Sequence, residues 1–148
     1  MRVTAPAIIC VFVLAVSGIA CDEKLRDFAG PTPDLTPTFA SIQRDIFNAR
    51  DSSGRPGCIS CHNAAGARFT GNLSLVEGVS YQALVGAAST GKAGAIRVVP
   101  GEPDRSYLLN KVLGTDIVGD RMPRLGPYLS DGQIRIIRRW IELGARND

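Results

Sequence analysis

The chain is poor in the side chains from which most active sites are built: its 148 residues include one histidine, His62, two methionines, one tryptophan and only 6% aromatic residues. With a single histidine, no site in this chain pairs two of its own imidazoles, and a peroxidase-like reaction finds no second histidine to act as its base. Charge of one sign is also scarce. The balance of 17 Lys+Arg against 14 Asp+Glu gives +3, and no long run of like charges is present, which argues against nucleic acid as a partner. No internal repeat is detectable, which excludes a solenoid, and the long apolar strands of a βαβ pattern are missing. What remains, 45% hydrophobic and 21% charged, is material for one globular domain with one core.

The amino terminus reads as an export signal. Arg2 supplies the positive start, and Ala7 to Ala20 is an uncharged, mostly apolar stretch too short to span a membrane comfortably. Residues 1–20 are therefore expected to be a signal peptide, and the mature chain is expected in the periplasm or cell envelope. Loss of Arg2 removes one of the 17 basic residues and leaves the 14 acidic ones untouched. Gly18-Ile19-Ala20 before Cys21 satisfies the small-residue rule of ordinary signal peptidase. It also resembles a bacterial lipobox, with Gly18 where an aliphatic residue is usual, which makes Cys21 a candidate for lipidation and membrane anchoring. The alternative is a soluble mature chain beginning at or near Cys21. Pro31, Pro33 and Pro37, set among Gly, Thr and Asp, mark residues 21–36 as a tether ahead of a domain at 37–148.

The chemistry is concentrated in Cys58-Ile59-Ser60-Cys61-His62. A C-x-x-C-H run places two thiols and an imidazole within one helical turn, the attachment signature of a c-type haem. Cys58 and Cys61 each supply a thioether to one vinyl group, and His62 is held where a ring nitrogen reaches the iron. Two other readings of the cysteines exist, a redox disulfide and half of a zinc site. Zinc requires four ligands, and beyond His62 the chain offers only Cys10 and Cys21, both in or beside the leader. A thioredoxin-like motif would sit in the βαβ pattern that is absent.

For the other axial position, elimination leaves one residue. Met1 leaves with the leader, so Met122 is the only methionine of the mature chain, in Gly119-Asp120-Arg121-Met122-Pro123-Arg124. Pro123 restricts the backbone there and biases Met122 towards an extended shape. Met122 is thus the candidate second iron ligand, against the alternative of a flexible core filler.

The periodicities predict short helices joined by loops. One starts with Thr36 as N-cap, carries Phe39, Ile42 and Ile46 on a stripe and ends near Ala49. A second spans Tyr81 to Val85. Gly86 to Gly94 reads as a loop with nothing to specify a rigid shape. Ile96 to Val99 reads as an extended segment able to pair with Leu73 to Leu75, themselves haem-facing or core. A helix from about Asp104 ends at Gly114. The last helix has Ser130 as N-cap, Gln133 completing a capping box, a buried stripe of Ile134, Ile137, Trp140 and Ile141, and Gly144 as stop. Its opposite face, Arg135, Arg138, Arg139 and Glu142, reads as solvated surface, or with Arg121 and Arg124 as a docking patch for an acidic redox partner.

Over roughly Phe39 to Ala145, the series Cys58-x-x-Cys61-His62, Leu73-x-Leu75, Arg97-Val98-Val99-Pro100-Gly101-x-Pro103-x-x-Ser106-Tyr107-Leu108, Arg121-Met122-Pro123, Leu129-Ser130-x-x-x-Ile134 and Trp140-Ile141-x-x-Gly144-Ala145 resembles the planctomycete-type cytochrome c domain. The likeness implies an all-α, class I-like cytochrome c fold around one covalent haem, with at most a short β-ladder. It further implies electron transfer, thioethers at Cys58 and Cys61, and His62 and Met122 as axial ligands. Asn63, where such domains often have glycine, departs from the pattern. The competing expectations are a haem-based sensor or peroxidase-like subunit with a displaceable sixth ligand, and a lipoprotein scaffold with a disulfide across the short C-x-x-C loop.

Overall fold

The computed structural model describes residues 35–50, 54–66 and 69–148. The leader, Cys21 and all but the last two residues of the tether lie outside these residues. Every regular element described is helical, and no strand forms among the described residues. No helix among them is long and apolar enough to cross a membrane.

The first helix, α1 (Phe39–Ile42), widens without a break into a π turn over Gln43–Asn48. Its cap is Thr38 and not Thr36: the Thr38 hydroxyl accepts the Ser41 amide at 3.3 Å. The two amides at its start are taken up from the far end of the chain, Phe39 N–H by Asp148 Oδ1 at 3.0 Å and Ala40 N–H by the Asp148 carbonyl at 2.8 Å. Orphan amides at a helix start must find acceptors somewhere, and here a long-range one supplements the local cap. Buried Gln43 then joins α1 to its surroundings, donating to the Leu75 carbonyl at 2.9 Å and accepting from the Ser80 hydroxyl at the head of α2 (Ser80–Leu84).

Beyond α2 the chain is shaped by small, specific bonds. The glycine- and alanine-rich stretch 86–94, expected to lack a fixed shape, has one: Ser89 N–H bonds the Ala95 carbonyl at 2.8 Å, its hydroxyl accepts the Gly91 and Lys92 amides, and Lys92 pairs with Asp116 at 2.7 Å. The segment at 96–99 pairs not with Leu73–Leu75 but through isolated bridges, Val98 with Val85 and Ile96 with Ala88 and Ser106. A 3-10 turn, Pro103–Arg105, leads into α3 (Tyr107–Leu113), which ends at left-handed Gly114 as its sequence demands.

The last helix, α4 (Asp131–Glu142), carries the expected capping box: Ser130 Oγ accepts Gln133 N–H at 3.2 Å and Gln133 Oε1 accepts Ser130 N–H at 3.0 Å. Ile134, Ile137, Trp140 and Ile141 are all buried. Trp140 lies 5.3 Å from Phe39, which meets Tyr81 at 5.2 Å and Phe47 at 6.4 Å, both edge-on. This aromatic group, with Ile42, Ile46, Leu84, Val98 and Leu109, is the core.

Candidate functional site

The Cys-x-x-Cys-His run forms the expected tight turn. Cys58–Ser60 is a 3-10 turn, and both Cys61 N–H (3.3 Å) and His62 N–H (2.9 Å) reach back to the Cys58 carbonyl. Its entry is fixed by Gly57, where an added Cβ would sit 2.4 Å from the Asn48 carbonyl oxygen at the end of the π turn. Its exit is fixed by Asn63, which donates to the Ile59 (3.0 Å) and Ser60 (3.2 Å) carbonyls and accepts Gly66 N–H at 2.9 Å. Asn63 therefore closes the turn with its own side chain, and its departure from glycine leaves the local backbone in order.

Both thiols are free, Cys58 half-buried and Cys61 exposed. Burial pushes the Cys58 thiol up from its ordinary pKa, and the nearby positive charge of Arg55 pulls in the opposite direction. Arg55 is fully buried, with Nη1 4.0 Å from Cys58 Sγ and 3.5 Å from the Ile46 carbonyl that Cys58 also contacts. A charged group costs free energy to desolvate, so its enclosure beside this turn marks it as part of the site's wall. Nothing in the Ser- and Gly-rich sequence around it signalled that burial.

His62 is held from two sides. Its carbonyl accepts Leu75 N–H at 2.8 Å, and its Nδ1 lies 3.3 Å from the Leu73 carbonyl oxygen. A carbonyl only accepts, so Nδ1 carries the proton and Nε2 keeps its lone pair. Burial lowers the imidazole pKa; the Leu73 bond opposes that, and the charges of Lys111 and Arg97 add to it. With the Nδ1 proton directed at Leu73, Nε2 is the nitrogen whose lone pair is left for a metal.

Met122 is presented by a loop strapped across α3. Its amide donates to the Lys111 carbonyl at 2.8 Å, while Lys111 Nζ donates to the carbonyls of Val118 (3.1 Å) and Asp120. Tyr107 OH accepts Val118 N–H at 3.0 Å, and Arg121 donates to the Val112 carbonyl at 2.8 Å while covering the Tyr128 ring at 4.0 Å. Lys111 thus connects the two candidate ligands, bonded to the Met122 backbone and close enough to His62 to act on its charge. Sequence reading gave neither Arg97 nor Lys111 a role, although Arg97 opens one of the motifs that carry the family resemblance and is a charged residue inside the β-branched run 96–99.

Of the seven large apolar residues left exposed among the described residues, Phe69 (80% exposed), Val118, Leu125 (93% exposed) and Tyr128 lie on the loops that follow His62 and that carry Met122, while Val76, Val79 and Leu143 lie elsewhere. Exposed apolar groups collected on two loops beside donor atoms fit an apolar group such as a porphyrin. Two surface depressions of about 520 and 390 Å³ lie elsewhere, lined by none of Cys58, Cys61, His62 and Met122. Among the described residues no three of His, Cys, Asp and Glu gather as a metal cage. No family model, no curated protein and no solved structure matches this chain.

Proposed function

We propose that the chain is a c-type cytochrome, an electron carrier and not an enzyme, with one covalent haem c attached at Cys58 and Cys61 and ligated by His62 and Met122. The observation that carries this is the imidazole at the end of a Cys-x-x-Cys turn, oriented by the Leu73 carbonyl at Nδ1 so that the Nε2 lone pair is left free to ligate. Each thiol adds across one vinyl double bond, sulfur to one carbon and hydrogen to the other, so nothing leaves and no oxidant is consumed. When bound, the haem supplies a one-electron iron couple. The Met122 thioether, a soft donor, favours ferrous over ferric iron and raises the potential relative to a second imidazole. Phe69, Leu125 and Tyr128 are available to exclude water from the apolar macrocycle.

We propose export through residues 1–20, supported by Arg2 and the apolar run to Ala20, with Cys21 as a lipid attachment point and residues 21–36 as tether. The partner would be another exported redox protein. Of the arginines on the candidate docking surface, Arg124, Arg138 and Arg139 each pair with a carboxylate of this chain, Asp120, Asp104 and Glu142. That leaves Arg135 and Arg121 as the stronger contributors to any acidic recognition.

The test is co-expression of the full chain with a cytochrome c maturation system. Haem staining that migrates with the denatured chain, and a low-spin ferric spectrum whose sulfur-to-iron band is lost in Met122→Ala, are expected. A folded, colourless product with both thiols reactive overturns the proposal. A high-spin form that takes up carbon monoxide at once moves it to the sensor or peroxidase-like class.

A further inference from the structure

We propose that Arg97 and Lys111 are the positioning residues of the two axial ligands, each tying down with its cationic head the loop that presents one of them, and together biasing the iron towards its reduced state. This rests on the haem reading above.

The two residues do the same job on opposite ligands. Arg97 is fixed at its backbone, its amide bonded to Ala87 and its carbonyl to Leu108. From there its guanidinium donates to the carbonyls of Ala83 (2.8 Å), Gly71 (2.7 Å) and Asn72 (3.3 Å). Asn72 has φ 54, a left-handed conformation that asparagine adopts more readily than other non-glycine residues, and its carbonyl is one of those the guanidinium holds. The next residue, Leu73, supplies the carbonyl that orients His62. Lys111 holds the other loop: Nζ bonds two carbonyls, Val118 and Asp120, and its own carbonyl holds the Met122 amide. Loop backbone is thus secured by side-chain cations at both candidate ligands.

The same two heads are net positive charges. Neither forms an ion pair among the described residues, and the one carboxylate that acts on Lys111, Asp120, is engaged by Arg124 at 2.9 Å. Each is partly withdrawn from water, which keeps its field from being fully screened. Ferric iron carries one more positive charge than ferrous, so cations held nearby favour reduction. An effective dielectric between that of the protein and that of water gives roughly a five- to tenfold bias per charge in the reduction equilibrium.

The experiment uses haem-loaded Arg97→Gln, Arg97→Lys, Lys111→Gln and Lys111→Arg, each equilibrated against a redox dye, with the sulfur-to-iron band and amide exchange at Met122 and Leu75 followed in parallel. Both Gln variants should shift the equilibrium towards ferric by about five- to tenfold. Lys111→Gln should also weaken the band and speed Met122 exchange, Arg97→Gln should speed Leu75 exchange and keep the band, and the two charge-conserving variants should recover the equilibrium. Wild-type equilibria in both Gln variants overturn the proposal while leaving the haem reading intact. Should one Gln variant fail to fold, the other still decides. Absence of covalent haem from the wild-type chain, seen by staining, overturns the underlying reading and this one with it.

Discussion

The half of the molecule built from α1, α4 and the carboxyl-terminal residues is held differently from the half built from the loops at 58–73 and 115–128. In the first, Phe39, Phe47, Trp140 and the isoleucines of two helices bury one another, and polar groups close the ends, with Gln43 as a buried tie to Leu75 and Ser80: Tyr81 OH donates to Ala145, Trp140 Nε1 to Arg146, and Asp148 takes the first amides of α1. In the second, Ile59 and Leu73 pack against that core, but Phe69, Val118, Leu125 and Tyr128 face outwards and the backbone is secured by Arg97, Lys111, Arg121 and Asn63. Apolar burial stabilises without regard to direction, whereas hydrogen bonds fix atoms in place. One half supplies an interior; the other leaves apolar side chains uncovered beside a hydrogen-bonded backbone, as expected if the proposed haem packs there.

The largest effect that would break this contrast is expected at Trp140. Trp140→Ala should cost about 3–5 kcal/mol of stability in urea unfolding of the haem-free chain, because the ring is 1% exposed against Phe39 and Ile141. Leu125→Ala in the same chain should fall within about 0.5 kcal/mol of wild type, since that side chain is 93% exposed. Similar losses at both positions would mean the two halves are not built differently.

Next in size is Gly57, where the halves join. In Gly57→Ala the new methyl meets the Asn48 carbonyl at 2.4 Å, so the entry to the Cys58 turn must shift, at about 1–3 kcal/mol. A lower yield of covalent haem from the maturation system, beyond any fall in chain yield, is the second readout. An unaltered melting curve and haem content would show that the packed half does not set the position of the turn. Asp148→Ala then removes one long-range acceptor from the start of α1, with an expected loss of about 0.5–2 kcal/mol in thermal unfolding.

These positions also mark where the sequence was informative. The Cys58 turn, the capping box of Ser130 and Gln133, the stripe of α4 and the stop at Gly114 are local patterns, written within a few residues of where they act, and were legible. Thr38 in place of Thr36 as cap was not, because both threonines precede the same apolar stripe and Asp148 enters from the other end of the chain. Residues 86–94 looked shapeless because one of their constraints, Lys92 with Asp116, lies 24 residues away, and the local ones rest on the single hydroxyl and amide of Ser89. The segment at 96–99 does meet the residues before Leu73, but through the Arg97 side chain and not through a backbone ladder, which no period-two pattern encodes. For the candidate site, donor types and spacing singled out Cys58, Cys61, His62 and Met122; Asn63 acts locally on the turn, whereas Arg97 and Lys111 reach other loops through side chains whose partners are backbone carbonyls that no spacing encodes.

The smallest expected effect tests the packed half from the side of charge. Arg44 forms a two-pronged pair with Asp45 at 2.8 and 2.7 Å, and Ser41 donates to the same carboxylate at 3.0 Å. The Arg44 hydrogen bond is the main cause holding the Asp45 carboxyl below its usual range, against a smaller opposing effect of burial. Because the folded value lies below the unfolded one of about 3.9, the contribution is fully present above that value and is lost as pH falls through the lower, folded value. Arg44 is 65% exposed, so solvent screening limits the contribution to about 0.2–1 kcal/mol. Stability followed by urea unfolding from pH 5 down to pH 2 should therefore fall slightly more in wild type than in Asp45→Asn. A difference several times larger would show that the α1 half depends on charge as the loops at 58–73 and 115–128 do, and would remove the distinction between them.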